Sequence, residues 1–325
     1  MAHALITGGA GFIGSHLAEH LLELGQTVTI IDNLSTGRFE NIAHLDGHPR
    51  FHYAIEDIRN ITVIDRLASE CDLIYHLAAA VGVRRIIDEP IETIETNIGG
   101  TEIILKTARR YRKKVLIAST SEVYGKGVTF PFHESDDSLL GPTERSRWSY
   151  AASKAIDEFL ALAYYKEAGL PVVIFRLFNT VGARQTGQYG MVLPRFVRWA
   201  LAGEPLQVYG DGTQKRCFCN VGDVVQAIQC LAETPAAVAK VFNVGSDTEI
   251  SIMELAQRVR QRAGSASEIR LVPYEEAYGS SDFEDFKRRV PSLEKVQSVI
   301  NWKPTTPLDD TIDQIIAYYQ EVHSG

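Results

Sequence analysis

One segment near the start of the chain narrows the folds open to it. The apolar run Ala4-Leu5-Ile6-Thr7 meets Gly8-Gly9-Ala10-Gly11 and passes into the amphipathic stretch Phe12-Ile13-Gly14-Ser15-His16-Leu17. Glycines at 8, 11 and 14 predict a strand, a tight turn and a helix start. Small residues there let the backbone approach a pyrophosphate, and the free N–H groups of the helix face its charge. A second apolar strand, Val28-Thr29-Ile30-Ile31, ends at Asp32. That acid lies about twenty residues beyond the turn, where a carboxylate holds a ribose diol and repels a 2′-phosphate. The pattern predicts bound NAD rather than NADP, with contacts from Gly8, Gly11, Phe12, Ile13, Gly14, Asp32 and Asn33. The competing explanation is a strand–helix turn with no ligand, and the position of Asp32 speaks against it.

At 325 residues the chain can bury a large core as one domain or two joined lobes. A net charge of -8, with no basic run longer than Arg109-Arg110 to Lys113-Lys114, argues against nucleic acid. It leaves room for an anionic small ligand held by a few arginines. The cysteines Cys71, Cys217, Cys219 and Cys230 form no CxxC pair. Cys217 and Cys219 alternate along one expected strand, which predicts a buried thiol pair rather than a metal site. No charged-plus-apolar leader precedes Ala4, and no run of eighteen apolar residues occurs, so a soluble cytoplasmic protein without a membrane partner is expected.

Strand and helix patterns alternate through the first half. Helices are expected over His16–Leu24, Ile58–Ser69, Pro90–Ala108 and Ser153–Ala168, with apolar strands at 73–77, 114–118 and 172–177. Short continuous apolar strands between helices predict an α/β fold, a Rossmann doubly wound and mainly parallel sheet covered on both faces. After Asn179 the pattern loosens. Gly182–Gly190 reads as a loop, Met191–Leu201 as a helix, and Pro205–Phe218 as short strands around the turn Gly210-Asp211-Gly212. A helix over Val221–Glu233, a strand at 241–244 and a helix over Ser251–Ala263 follow, with a last helix after Asp310. These features predict an NAD-binding domain over 1–178 and a smaller, mainly substrate-binding C-terminal lobe over 179–325, with about 221–245 returning to the first domain.

Two clusters carry candidate chemistry. Tyr150 and Lys154 stand four residues apart near a helix start, on one face. A phenol near pKa ~10 is a poor base at neutral pH. A neighbouring ammonium and a cationic nicotinamide favour the phenolate. Tyr150 is therefore the expected base, with Lys154 also binding a ribose hydroxyl. The second cluster, Thr120-Ser121-Glu122, directly follows a parallel strand, at the carboxyl end where such sheets bind ligands. The plain alternatives are a loop-capping serine at Ser119 and an exposed turn acid at Glu122.

Together these motifs resemble the extended short-chain dehydrogenase/reductase family of NAD-dependent nucleotide-sugar epimerases, dehydratases and decarboxylases. The resemblance spans essentially the whole chain. It rests on the glycine turn, Asp57-Ile58, Leu77-Ala78-Ala79, the Tyr150/Lys154 pair, Arg176-Leu177-Phe178-Asn179, and Gly210-Asp211-Gly212 leading to Asp223-Val224-Val225. It implies that Asp57 and Ile58 lie by the adenine and that Leu77, Ala78 and Ala79 line the cofactor. It also implies substrate contacts from Val81, Arg85, Asn179, Leu193, Val208, Arg216 and Arg289, with Arg216 and an arginine near the C-terminal lobe gripping the diphosphate. The helix patterns at Pro90–Ala108 and Ser153–Ala168 resemble the pair that forms the family's four-helix dimer interface, so the resemblance implies a homodimer.

Within the family, Thr120-Ser121-Glu122, Gly141-Pro142, Arg147-Trp148-Ser149-Tyr150 and Lys215-Arg216-Cys217-Phe218 look like UDP-glucuronate decarboxylases. Arg289-Val290-Pro291 matches a segment whose arginine assists that reaction, whereas Ala79–Val83 looks more like epimerase sequences. The implied reaction begins as Tyr150 deprotonates the C4 hydroxyl and NAD accepts the C4 hydride. The ketone, beta to the C5 carboxylate, lets CO2 leave. Glu122 and Arg289 organise the carboxylate and C5 protonation, and hydride returns to give UDP-xylose with NAD regenerated. The UDP moiety is inherited from the resemblance. A UDP-sugar or UDP-uronate 4-epimerase, a 4,6-dehydratase, and an NAD-binding sensor or scaffold without turnover stand as alternatives. The presence of Thr120, Tyr150 and Lys154 weighs against the last.

Overall fold

The structure, a computed structural model, describes residues 2–82, 86, 88–187, 191–274, 276 and 288–324. The first-half alternation becomes β1 (His3–Thr7), α1 (Phe12–Glu23), β2 (Thr27–Asp32), β3 (Phe51–Ile55), α2 (Ile61–Glu70) and β4 (Leu73–His76). Next come α3 (Pro90–Ile94), a π turn (Glu95–Gly99), α4 (Gly100–Tyr111), β5 (Lys114–Thr120), α5 (Arg147–Ala168) and β6 (Val172–Leu177). The expected helix over Pro90–Ala108 thus carries a π turn, and the one expected from Ser153 starts six residues earlier. That earlier start sets Tyr150 within the helix.

Further along lie β7 (Thr180–Val181), α6 (Val192–Ala202), β8 (Leu206–Tyr209), β9 (Lys215–Cys217), β10 (Cys219–Asn220) and α7 (Val221–Glu233). The chain ends with β11 (Lys240–Val244), β12 (Glu249–Ser251), α8 (Ile252–Arg262), β13 (Ile269–Val272), α9 (Glu294–Ile300) and α10 (Leu308–Ser324).

Seven strands form one parallel sheet in the order β11-β6-β5-β4-β1-β2-β3, a Rossmann-like arrangement. Strand alternation sends successive side chains to opposite faces. Ala4, Ile6, Leu116, Val173 and Phe175 join one core with Leu17 and Leu21 of α1 and Val224 and Ile228 of α7. Leu5, Val115, Ile117, Val172 and Ile174 join the other with residues of α2, α4 and α5. Both faces are covered, which is why these strands are apolar throughout. A third core is built from residues of α6, β8, α8 and α10.

β1 is flanked by β2 and β4, so the connections leaving these strands diverge at their carboxyl ends and open a crevice. The π turn bears on this crevice. It aims Asn97, whose side-chain oxygen accepts from Ala80 N at 2.8 Å and whose amide donates to Ser153 Oγ at 3.1 Å. The exit of β4 is thereby tied to α5.

The two cysteines do not share a strand. Cys217 ends β9, which pairs antiparallel with β12, and Cys219 begins β10, which pairs with β7. Both are buried as free thiols, and burial pushes Cys217 up to about 12. Among the described residues no group of three or more His, Cys, Asp or Glu side chains could hold a metal ion, and no helix is long and apolar enough to cross a membrane.

Candidate active site

The crevice is a cavity of about 430 Å3 that runs from the glycine turn to the start of α5. Gly8 has φ +72°, and a Cβ there would lie 2.9 Å from Ala78 N. At Gly14 a Cβ would lie 2.2 Å from the Gly8 carbonyl oxygen. Glycine is thus required for close packing of the turn against both β4 and α1. Gly11 caps α1 without a side chain, and the first turn of the helix carries no acid, so its N–H groups are left for an anion.

At the end of β2, Asp32 accepts from Ala10 N at 3.0 Å and Leu34 N at 2.8 Å. Burial raises its pKa, with these backbone donors working against the rise. Asn33 donates to Asp57 at 3.0 Å, and Arg59 bridges Asp57 and Glu92. The Arg59 hydrogen bonds hold the Asp57 carboxyl at about 2. This cradle of glycines, amides and a strand-end acid fits a dinucleotide.

Most residues singled out from the sequence line this cavity. They include Gly8, Phe12, Ile13, Gly14, Asp32, Asn33, Ile58, Leu77, Ala78, Ala79 and Val81. Thr120, Ser121, Glu122, Tyr150, Lys154, Asn179 and Arg289 line it as well. Asp57 stands behind Asn33 rather than in the lining. An adjoining cavity of about 210 Å3 shares Glu122, Arg147, Asn179 and Arg289, and adds Leu193 and Arg216. Arg85 lies outside the described residues.

Val208 does not reach either lining. It is fully buried in the C-terminal core, and its neighbours Gln207 and Tyr209 face the second cavity instead. Alternation along β8 dictates this, since Leu206 and Val208 share the apolar face. That alternation was a signal available in the sequence.

Glu122 is not an exposed turn acid. Arg289 donates to its Oε1 at 2.8 Å, and Arg147 to its Oε2 at 3.3 Å. Burial opposes its charge, but the two guanidiniums outweigh burial and hold the carboxyl below its usual range. Arg289 also reaches Ser121 Oγ at 3.3 Å. Its segment is fixed because Phe132 N donates to Val290 O at 2.8 Å and Ser292 N to Phe132 O at 2.7 Å. Arg147 stacks on Trp148, with 4.8 Å from its guanidinium carbon to the ring centroid. Sequence reasoning gave Arg147 no role of its own, although its place three residues before Tyr150 sets both on one helix face.

Thr120 accepts from Glu122 N at 3.2 Å and hydrogen-bonds the Tyr150 phenol. Burial raises the pKa of that phenol, the Glu122 charge adds to the rise, and the Thr120 hydrogen bond offsets part of it. The Lys154 ammonium is not an unopposed cation beside the ring. It lies 2.7 Å from Asp157 Oδ2, and both side chains are buried.

A phenol, a hydroxyl, and a carboxylate clamped by two arginines thus converge between a dinucleotide cradle and a second cavity. That arrangement suits proton exchange with a hydroxyl next to an anionic group. Comparison with known proteins agrees. The GDP-mannose 4,6 dehydratase family model matches residues 5–315. A UDP-N-acetyl-alpha-D-glucosaminuronate decarboxylase of Bacillus cytotoxicus is 43% identical over 322 residues, covering 98% of each chain. UDP-glucuronic acid decarboxylase 1 of Danio rerio is 36% identical over 97% of this chain and 72% of its own length. Among solved structures, UDP-glucuronic acid 4-epimerase from Bacillus cereus, in complex with UDP-glucuronic acid and NAD, superposes with a TM-score of 0.88 at 28% identity, covering 98% of this chain and 99% of that one. With these motifs, this sheet and a family match over nearly its full length, the chain belongs to the GDP-mannose 4,6 dehydratase family of extended short-chain dehydrogenases/reductases.

Proposed function

We propose that this protein is an NAD-dependent decarboxylase of a UDP-linked glucuronate, converting UDP-glucuronate to UDP-xylose. The observation that carries the reading is Glu122, gripped by Arg147 and Arg289 beside Tyr150 where the two cavities meet. The curated relatives named above as decarboxylases support it. Bound NAD would supply reversible two-electron oxidation at sugar C4. Gly8, Gly14 and the open end of α1 would hold its pyrophosphate, and Asp32 a ribose diol.

The chain's own work is then proton handling and charge placement. Tyr150 takes the C4 hydroxyl proton and later returns it, with Thr120 orienting the phenol and the hydroxyl. Once C4 is a ketone, the bond from C5 to the carboxylate can break, its electron pair spreading onto the ketone oxygen, and C5 then takes up a proton from solvent in place of the departed CO2. Arg147 and Arg289 steady the substrate carboxylate and the charge that develops, and Glu122 keeps both guanidiniums in place. On this reading residues 1–178 serve the cofactor and 179–325 mainly the substrate. Residues 221–245 serve the first unit, since α7 covers α1 and β11 extends the sheet.

The test is to give NAD-loaded protein UDP-glucuronate and, separately, its 2-acetamido counterpart. CO2 and the matching UDP-pentose should form in equal amounts with no net NADH. A UDP-galacturonate product without CO2 would instead establish the epimerase alternative. Neither CO2 nor a pentose from either sugar would sink the reading. In the same assay Glu122→Gln should slow decarboxylation by about a hundredfold, and an unchanged rate would remove Glu122 from the reaction.

The same reading includes a homodimer. Ile91 and Ile94 on α3 and Ile156 and Phe159 on α5 leave large apolar side chains exposed, Phe159 at 74%. These helices pack side by side, and exposed apolar side chains on such neighbouring elements are of the kind that marks an interface. Phe159→Glu should turn a dimer into a monomer in sedimentation. A wild-type chain that sediments as a monomer would end this part of the proposal.

A further inference from the structure

A buried polar chain leads from the cofactor cradle to Lys154, and the reaction described above makes no use of it. Ala78 N donates to Thr7 Oγ1 at 3.1 Å, and Thr7 Oγ1 stands 2.8 Å from His76 Nδ1. His76 Nε2 lies 3.0 Å from Thr101 Oγ1, and the Thr101 hydroxyl bears on the Asp157 carboxylate. Asp157 in turn holds Lys154 at 2.7 Å. Thr7, His76, Thr101, Lys154 and Asp157 are all buried.

A neutral His76 donates through one ring nitrogen and accepts through the other. With the proton on Nε2 it donates to Thr101, which leaves the Thr101 hydroxyl proton for the Asp157 carboxylate beside it. His76 is neutral because burial and the nearby Lys154 charge push it down to about 3. Among the described residues Asp157 Oδ1 accepts no hydrogen bond of good geometry, so this carboxylate is buried with one oxygen unmatched. Such an arrangement costs stability. Its return is control of the lysine.

Building on the proposed Tyr150–Lys154 chemistry, we infer that Asp157, aligned by the Thr7–His76–Thr101 chain, is a positioning residue that keeps Lys154 charged and in place beside Tyr150. An ammonium with no counter-charge in so buried a place would shed its proton. Arg147, Tyr150, Lys154 and Asp157 recur at spacings of three and four, on one face of α5. The other charged groups nearby are accounted for. Glu158, next along α5, is bound by Arg176 of β6 at 2.9 and 2.7 Å, and Glu122 by its two arginines. His76 from β4 and Thr101 from α4 complete the surroundings. Asp157 is the one carboxylate among these that meets Lys154.

The experiment is an NMR titration of the full chain, loaded with NAD and labelled with 13C at lysine Cε. The Lys154 signal is assigned by its loss in Lys154→Met. In Asp157→Asn the Lys154 midpoint should fall by about two pH units relative to wild type, a hundredfold loss of proton affinity. Asp157→Glu should restore most of it. Thr101→Val, which keeps both charges but removes a hydroxyl that aligns the carboxylate, should shift the midpoint by about half a unit in either direction. This second variant decides the matter if Asp157→Asn does not fold. A midpoint within a few tenths of wild type in whichever variants fold overturns the inference. The readout needs no turnover, so a failure of the decarboxylase reading would leave it standing or falling on its own. If both hold, Asp157→Asn should also lose activity as pH rises through the new lysine midpoint, a limb that wild type lacks there.

Discussion

Replacing Tyr150 with phenylalanine should lower kcat for a UDP-glucuronate substrate by roughly 1,000-fold, with KM and the amount of bound NAD close to wild type. The phenol oxygen is the group that Thr120 orients, and the ring itself belongs to the packed start of α5. Phenylalanine keeps that ring and removes only the proton carrier. Burial and the Glu122 charge hold the phenol above its ordinary pKa, so turnover in wild type should rise as pH climbs from neutral. Tyr150→Phe should be slow and lose that dependence. Measuring kcat, KM and NAD content from pH 6 to 9 checks the point. A variant retaining more than a tenth of wild-type kcat would remove Tyr150 as the proton carrier.

The second large effect is expected at Gly14. An alanine methyl there would sit 2.2 Å from the Gly8 carbonyl oxygen and 2.8 Å from Gly9 Cα. Both are backbone atoms of the turn, and neither can rotate away. The turn must move, at a cost of about 1–3 kcal/mol for overpacking, and its amides move with it. Gly14→Ala should therefore purify without NAD and melt several degrees lower. Gly99→Ala is the control, because a methyl at that position meets nothing within 4 Å. It should keep both cofactor and melting temperature. Wild-type NAD content in Gly14→Ala would show that the turn does not hold the cofactor.

Much of this molecule was legible from one dimension. The glycine spacing fixed a strand–turn–helix because only residues without Cβ fit between β1, α1 and the exit of β4. The parallel sheet was legible because strands covered on both faces leave no room for polar alternation. The Tyr150/Lys154 spacing placed both on one helix face by helical geometry alone. Other features had local signals that were not used. Alternation along β8 excludes Val208 from the cleft, and the three-residue step from Arg147 to Tyr150 brings Arg147 into it.

What the sequence by itself determined is the set of elements whose cause is local: periodicity, turn chemistry and spacing within one helix or strand. Only the tertiary structure decided which charges meet. Glu122 comes under Arg289, which arrives from the far end of the chain, and Lys154 is matched by Asp157 while His76 and Thr101 close in from two other elements. A carboxylate's charge, or the cation available to a phenol, depends on distances in space that no spacing along the chain encodes. Those distances turn a list of plausible residues into a site with defined protonation.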